Sequence, residues 1–310
     1  MKNVLVTGAG GSIGSEIVQQ TLNDTTVRNL YINDISESAL FQIFVKCNQG
    51  DHSVNVIPIV GDISSASVRK SIETTADLNL IYNTAAYKHV YLSTINPQIY
   101  LNNNLEATKS CVSLARQHGA QLIHISTDKA VHPINPMGAS KRVCEHFVLS
   151  ANNEYGQKYK IVRFGNVLNS SGSVVPIFNE QIANGGPITV TDPDAKRYFM
   201  TIEQAVSLVL KSPETNDNET VLILDMGQPI LVDHLARNMI VQAGLKPTLN
   251  PAQNENEIQI KYIGLREGEK LEEELTSGDL KPTNLPNIFS AQEDNDDLDQ
   301  ILEKFDMNLH

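Results

Sequence analysis

The apolar run Asn3-Val4-Leu5-Val6-Thr7 breaks directly into Gly8-Ala9-Gly10-Gly11-Ser12-Ile13-Gly14, after which Ile13, Ile17 and Leu22 follow at approximately helical spacing. Few architectures turn a strand into a helix through glycines placed as Gly8, Gly11 and Gly14. Glycine permits the tight turn and lets backbone N–H groups approach a pyrophosphate, while the helix N-terminus adds unpaired donors and a favourable dipole. A glycine trio alone is a weak signal, and its context strengthens it. Further runs of buried type at Leu30–Ile32, Val54–Val60, Leu78–Tyr82, Gln121–Ser126 and Lys160–Phe164 alternate with helical stretches such as 98–117 and 137–151. This alternation predicts an α/β fold, a doubly wound parallel sheet whose right-handed crossovers place helices on both faces.

The pattern changes after Phe164. Residues 165–199 are rich in Gly, Asn, Ser and Pro and read as too irregular for another strand-helix unit. Regular structure is expected to resume with a helix at 201–212, a strand at Val221–Asp225, a helix at 231–243 and a strand at 258–263. Residues 165–199 and 229–310 are therefore expected to form a smaller C-terminal substrate lobe over the carboxyl edge of the sheet. The acidic stretch Glu293-Asp294-Asn295-Asp296-Asp297 reads as a solvated helix start.

Composition narrows the partners. A net charge of −12 and a pI near 5.1 argue against a nucleic-acid surface and against an anionic membrane surface as partner. A few local arginines and lysines still suffice for one diphosphate. Cys47, Cys111 and Cys144 are widely spaced and odd in number, which fits free thiols in a reducing compartment and no metal motif. With no apolar run of membrane length and strand-like residues beginning at Asn3, the expectation is a cytoplasmic protein.

Asp34 ends the second strand, 20 residues beyond Gly14. A carboxylate there would accept hydrogen bonds from an adenosine ribose and repel a 2′-phosphate, which favours NAD over NADP. Gly61-Asp62-Ile63 ends the third strand, where an acid can reach the adenine amino group. Asn83-Thr84-Ala85-Ala86 ends the fourth, and the small side chains of Ala85 and Ala86 leave room for a cofactor. The expected cofactor contacts are thus Gly8, Gly11, Ser12, Ile13, Gly14, Asp34, Asp62, Ile63, Ala85 and Ala86, together with Lys141.

The stretch from Ser126-Thr127-Asp128-Lys129 to Met137-Gly138-Ala139-Ser140-Lys141 points to the chemistry. In most nicotinamide enzymes with a lysine in the setting of Lys141, the residue four positions earlier is a tyrosine that takes the alcohol proton. Here it is Met137, and no lysine in the chain has a tyrosine at that spacing. Methionine cannot accept a proton. Either the fold is catalytically dead, or Thr127, Asp128 and Lys129 do acid–base work that a simple dehydrogenase does not need.

The later motifs narrow the reading. They are Ala85-Ala86-Tyr87-Lys88-His89-Val90, Ser126-Thr127-Asp128-Lys129-Ala130-Val131, Met137-Gly138-Ala139-Ser140-Lys141-Arg142, and Arg163-Phe164-Gly165-Asn166-Val167-Leu168 with Gly172-Ser173-Val174-Val175-Pro176. Arg197-Tyr198-Phe199-Met200-Thr201 and Gly264-Leu265-Arg266-Glu267-Gly268-Glu269-Lys270 complete the set. From about residue 3 to about 290 the chain resembles the UDP-N-acetylglucosamine 4,6-dehydratases. These belong to the extended short-chain dehydrogenase/reductase family of polysaccharide biosynthesis, and the likeness is to the group with methionine in place of tyrosine. Three positions depart from the usual pattern: Asn169 stands for glycine, Thr84 for histidine and Glu267 for proline.

The resemblance implies a hydro-lyase that oxidises carbon 4 of a UDP-sugar, eliminates water across carbons 5 and 6, and returns hydride to carbon 6. It implies Asp128 as acid and Lys129 as base, which needs a protonated carboxyl and a neutral amine. A direct ion pair would oppose both forms, so the two side chains are expected to reach different substrate atoms. Thr127 is expected at the carbon-4 hydroxyl, Lys141 at the nicotinamide ribose, and Met137 as packing near the sugar. A water, or Asp128 acting through Thr127, could take the carbon-4 proton. Lys88 is expected near substrate, Asn166 and Arg266 at the diphosphate, and Val174, Val175 and Pro176 beside the uracil. Arg197 is balanced between the substrate and a structural salt bridge.

These roles divide the chain into an NAD-binding Rossmann domain, residues 1–164 and 200–228, and the nucleotide-sugar lobe, residues 165–199 and 229–310. The family also implies at least a homodimer, with helices near 98–117 and 137–151 as contacts. A sugar-nucleotide 4-epimerase and a non-catalytic NAD-binding sensor or scaffold remain as alternatives.

Overall fold

The computed structural model describes residues 1–216, 220–292 and 297–309. The first half of a large sheet is built from β1 (Lys2–Thr7), α1 (Ser12–Thr21), β2 (Val27–Asp34), α2 (Glu37–Cys47), β3 (Asn55–Val60), α3 (Ala66–Thr75) and β4 (Leu80–Asn83). The second half runs through α4 (Val90–Ile95), α5 (Pro97–His118), β5 (Gln121–Ile125), α6 (Pro136–Tyr155) and β6 (Lys160–Arg163). Then come β7 (Asn166–Val167), α7 (Val174–Ala183), β8 (Ile188–Val190), β9 (Lys196–Arg197), β10 (Phe199–Met200), α8 (Ile202–Lys211) and β11 (Val221–Leu224). The remainder holds β12 (Ile230–Leu231), α9 (Val232–Gln242), β13 (Lys246–Thr248), β14 (Glu257–Tyr262), β15 (Leu280–Pro282), β16 (Ile288–Ala291) and α10 (Leu298–Lys304).

The large sheet has the order β3-β2-β1-β4-β5-β6-β11-β16-β15. All neighbours from β3 to β11 are parallel, and β16 and β15 add an antiparallel hairpin at the far edge. This is the doubly wound arrangement expected from the strand-helix alternation. Strand order reverses between β1 and β4, and ligand crevices form at such a reversal, beyond the carboxyl ends of the strands.

The central strands are buried on both faces, as continuous apolar runs require. One core cluster joins β1, β2 and α1 to α8 through residues such as Val6, Ile17 and Val206. The other packs Leu5, Ile81 and Leu122 against Cys111, Leu114 and Val148 of α5 and α6. Both of these helices carry proline at their start and a left-handed glycine just past their end, Gly119 at φ 62° and Gly156 at φ 63°. All three cysteines are free and buried. Among the described residues no helix is long and apolar enough to cross a membrane.

Two expectations are corrected. The stretch 165–199 does contain a helix, α7, followed by β8. Phe178 of α7 and Ile188 and Val190 of β8 form a separate core with Ala236, Ile240, Ile258 and Ile260. Glycines and prolines punctuate this stretch at its turns and leave the apolar face of α7 intact. The division at 229–310 also moves, because the β15–β16 hairpin extends the large sheet through β11. Beyond it, Leu302 and Met307 pack on Leu101, Leu105, Val143 and Cys144. The C-terminal segment thus covers part of the α5–α6 surface expected to meet a second subunit. Of the acidic stretch, residues 293–296 lie outside the described residues, and Asp297 caps α10 by accepting from the backbone N–H groups of Asp299 and Gln300.

One buried ion cluster ties α6 to β6. Glu145 accepts from Arg163 Nε at 2.7 Å and from Nη2 at 2.6 Å, and Arg142 Nη1 reaches it at 3.3 Å. Arg163 and Glu145 are fully buried. Burial alone would raise the Glu145 pKa, but the two guanidiniums outweigh it and hold the carboxyl below its usual range. Its stabilisation is therefore present above the unfolded carboxylate pKa and is lost as pH falls through the lowered folded value. Removing the charge leaves Arg163 uncompensated, so Glu145→Gln should lose about 3–5 kcal/mol of stability. Urea denaturation at neutral pH checks this, and a loss under about 1 kcal/mol would contradict the role given to the cluster.

Candidate active site

Opposite the carboxyl edge lies one cleft of about 910 Å³, on the scale of a small-molecule site. The glycine turn forms one wall. Gly8 has φ +67°, and a Cβ there would stand 2.8 Å from the Ala85 backbone nitrogen. A Cβ on Gly14 would lie 2.1 Å from the Gly8 carbonyl oxygen, so the turn closes only without side chains at both positions. Gly11 caps α1 without a side-chain hydrogen bond, and Gly11, Ser12, Ile13 and Gly14 line the cleft with the helix N-terminus. Thr84, the departure from histidine, donates to Thr7 O at 2.7 Å and clasps the turn to β4.

Asp34 stands beside this turn. Its Oδ2 accepts from Gly10 N at 2.8 Å and its Oδ1 from Ser36 N at 2.8 Å, which shapes the loop and leaves further lone pairs for a ligand. Asp62 is exposed and accepts from Ser64 N, whereas Ile63 is buried in the core with Val68 and Ile72. Ala86 lines the cleft, and Ala85 packs behind it against the core.

Thr127, Asp128 and Lys129 follow β5 in one short turn. Asp128 Oδ1 accepts from Thr127 Oγ1 at 2.8 Å and from Lys129 Nζ at 2.9 Å. The expectation that the acid and the amine reach apart is overturned: they form a direct ion pair. A fully buried carboxylate needs a compensating cation, and the flexible stem of the neighbouring lysine is long enough to bring its ammonium round to it. Lys129 also donates to Asn166 Oδ1 at 3.2 Å, which ties Asn166 to the Thr127–Asp128–Lys129 turn. Thr127 and Lys129 line the cleft; Asp128 lies behind them, its Oδ2 without a hydrogen-bond partner among the described residues.

Met137 opens α6 at the cleft wall and is buried, its backbone N–H donating to Ser93 Oγ at 3.1 Å. One turn on, Lys141 lines the cleft while donating to Ile125 O at 2.5 Å and to His124 Nε2 at 3.2 Å. Burial lowers the Lys141 pKa, and burial together with Lys141 keeps His124 neutral, well below its usual pKa. The other His124 ring nitrogen, Nδ1, lies 3.0 Å from the Asn83 side-chain amide nitrogen, so both ring nitrogens meet nitrogen groups that can donate. His124 is thus a second support for Lys141 that periodicity could not reveal, since it occupies an ordinary strand position.

Lys88 reaches the cleft in a loop held by Asn104, which accepts from Tyr87 N at 2.7 Å and donates to Ser140 Oγ at 2.8 Å. Desolvation by the cleft walls lowers the Lys88 pKa, although the side chain keeps solvent access. Val174 and Arg266 also line the cleft. Val175 and Pro176, in the same first turn of α7, are half-buried outside its wall. Asn169 has φ +60°, a left-handed conformation asparagine tolerates where the usual residue is glycine.

The structural partners of Arg197 are backbone carbonyls, where the sequence offered a salt bridge as the structural alternative. Its guanidinium donates to the backbone carbonyls of Lys196, Leu271 and Lys270 at 2.7–3.0 Å, so it fastens the 268–274 segment to β9 while its surface reaches the cleft. That segment brings in Glu273, absent from the sequence reading. The residue is 5% exposed, lines the cleft and leaves Oε2 unpartnered among the described residues. The clue available was its place three residues after the Gly264–Lys270 motif. Five cations, Lys88, Lys129, Lys141, Arg197 and Arg266, thus reach one cleft in an acidic chain. Among the described residues no group of His, Cys, Asp and Glu is placed to hold a metal.

Known proteins resemble this chain in sequence and in fold. The chain is 38% identical over 88% of its length to the capsular polysaccharide biosynthesis protein CapD of Staphylococcus aureus, and spans 45% of that protein. It is 29% identical to a UDP-N-acetylglucosamine 4,6-dehydratase (inverting) of Campylobacter jejuni, over 90% of this chain and 78% of the relative. It is 30% identical to a UDP-glucose 4-epimerase of Rickettsia rickettsii, over 96% and 84%. The X-ray structure of Pen from Bacillus thuringiensis superposes with a TM-score of 0.82 at 30% identity, covering 94% of this chain and 88% of the other. The sequence model described as "Polysaccharide biosynthesis protein" matches residues 4–293, and the chain belongs to that family.

Proposed function

We propose that the chain is an NAD-dependent 4,6-dehydratase of UDP-N-acetylglucosamine, yielding a UDP-4-keto-6-deoxy-N-acetylhexosamine. The observation that carries this reading is the linked Thr127–Asp128–Lys129 cluster on the cleft wall, with Met137 where a phenol would otherwise stand. The glycine turn fits a dinucleotide, because a Cβ at Gly8 or Gly14 would collide with backbone and α1 presents an uncapped N-terminus. NAD, when bound, supplies the acceptor and later the donor of hydride.

This chain's residues then handle the protons. Thr127 stands at the cleft wall to hydrogen-bond the carbon-4 hydroxyl. A single proton shift along the 2.9 Å contact turns the Asp128–Lys129 ion pair into a carboxylic acid and a neutral amine. Those are the forms that elimination requires, and Lys129, facing the cleft, takes the carbon-5 proton. Met137 keeps that wall dry, which strengthens the electrostatics beside it. Lys88, Asn166 and Arg266 offer the donors for the diphosphate, and Val174 an apolar contact for the base.

A 4-epimerase reading draws on the Rickettsia relative. Such an enzyme has no chemistry at carbon 6 and no need for an acid–base pair beyond the carbon-4 proton acceptor. Mass spectrometry after incubation with UDP-N-acetylglucosamine separates the two: the dehydratase product is lighter by one water, whereas an epimer keeps the mass.

Two outcomes are expected. Asp34→Ala should weaken NAD binding by roughly 1.5–3 kcal/mol and relax rejection of NADP in calorimetric titrations, through loss of a charged acceptor. Tighter binding of NADP than NAD by the wild type would sink the cofactor assignment. Asp128→Asn and Lys129→Ala should each lower dehydration by about 10²–10⁴-fold while leaving NAD affinity within a few-fold. Near-wild-type water loss by either variant would remove that residue from the mechanism.

A further inference from the structure

Two distant parts of the chain must hold one substrate at once. The turn after β5 brings Lys129 to the cleft, and the Gly264–Lys270 stretch brings Arg266 to it. One is offered to carbon 5 of the sugar and the other to the diphosphate. Whatever fixes the space between them therefore fixes where carbon 5 falls against the Lys129 amine.

A single side chain spans that gap. Asn135 is 3% exposed, stands behind the cleft wall and caps α6. Its Oδ1 accepts from Gly138 N at 2.8 Å, and its Nδ2 donates to Gly268 O at 2.8 Å. A glycine seats each end. A Cβ on Gly138 would collide with the Lys129 carbonyl oxygen, so the capped turn of α6 rests on the backbone of Lys129 itself. Gly268 has φ +81°, and a Cβ there would stand 2.8 Å from the Asn135 Cβ.

Gly268 also shares a tight turn with Arg266. Glu269 N donates to Arg266 O at 3.1 Å, and Arg266 N donates to Glu269 Oε2 at 3.2 Å. Lys270 adds a second tie, its Nζ donating to Val131 O at 2.9 Å. On the far side Arg197 holds the carbonyls of Lys270 and Leu271. The turn that carries Arg266 is thus fastened to the turn that carries Lys129 by one amide and one ammonium.

We infer that Asn135 is a positioning residue that sets the spacing between Arg266 and Lys129, and through it the placement of carbon 5. This assignment rests on the dehydratase reading and leaves its proton transfers as they stand. An amide suits the task because the helix cap needs an acceptor and the Gly268 carbonyl needs a donor. Aspartate and serine can cap the helix, but aspartate has no donor and serine is too short to reach Gly268. Binding energy gained at the diphosphate is spent on placing the sugar, so loosening the tie should lower turnover and leave nucleotide binding in place.

The test compares the full chain with Asn135→Asp and Asn135→Ser on UDP-N-acetylglucosamine in deuterated water. Both variants should lose water about 10–10²-fold more slowly at saturating substrate, the scale of a displacement near 1 Å. Deuterium entry at carbon 5 should fall in parallel, because the misplaced atom is the one Lys129 deprotonates. Affinity for UDP alone, read by calorimetry, should stay within about threefold of wild type. Lys270→Met cuts the second tie without touching α6 and should show the same split between turnover and binding. In an Arg266→Ala background Asn135→Ser should cost less than about threefold, since the loop no longer holds the diphosphate. Turnover within about threefold of wild type in all three single variants would overturn the assignment. So would UDP affinity that falls together with turnover, or an undiminished effect of Asn135→Ser in the Arg266→Ala background, since either makes the contact a general structural one. A wild-type chain that releases no water from this substrate would instead refute the dehydratase reading on which the assignment depends.

Discussion

Parallel strands joined by crossovers must all end at the same edge, and the sheet-borne part of this site follows from that constraint. The turn after β1, the Asn83–Ala86 stretch after β4, the acid–base turn after β5 and Asn166 after β6 meet there because the strands run one way. The reversal of order between β1 and β4 parts the loops and opens the crevice. Buried ionic contacts then fix what topology leaves adjustable. The Glu145–Arg163–Arg142 cluster holds α6 against β6, and α6 carries both Met137 and Lys141.

The rest of the cleft comes from far along the chain. The 268–274 segment is bound through Asn135 and Lys270 on one side and through Arg197 on the other, which satisfies the carbonyls of Gly268, Lys270 and Leu271, while Glu273 Oε2 has no partner among the described residues. A methionine in the phenol's place removes one proton-transfer group. After β5 a carboxylate is hydrogen-bonded by both a hydroxyl and an ammonium, and a second carboxyl, Glu273, lines the same cleft.

The sheet was legible because its signals are local: apolar runs, the glycine turn, and prolines and glycines at the ends of α5 and α6. The Thr127–Asp128–Lys129 turn was legible for the same reason. Pairing was not. Whether adjacent Asp128 and Lys129 turn toward one another depends on the burial of the carboxylate, which no pattern encodes. Glu273 sits in the run Glu272–Glu274, to which no sequence pattern gives a place, and long-range contacts of Arg197, Asn135 and Lys270 hold its segment at the cleft. The hairpin of β15 and β16 joins the sheet through long-range pairing with β11, and α7 was hidden by the turn residues around it.

The cationic cleft sits in a chain of net charge −12, and this has a kinetic consequence. A doubly charged anion approaching from beyond the Debye length, about 8 Å at physiological ionic strength, meets a repelling molecule. At short range Lys88, Arg197 and Arg266 of the cleft lining offer it positive charge. Added salt screens the distant repulsion before the close attraction, so capture first quickens and then slows as ionic strength rises. An enzyme of this charge pattern collects its substrate best in a medium that is neither dilute nor concentrated.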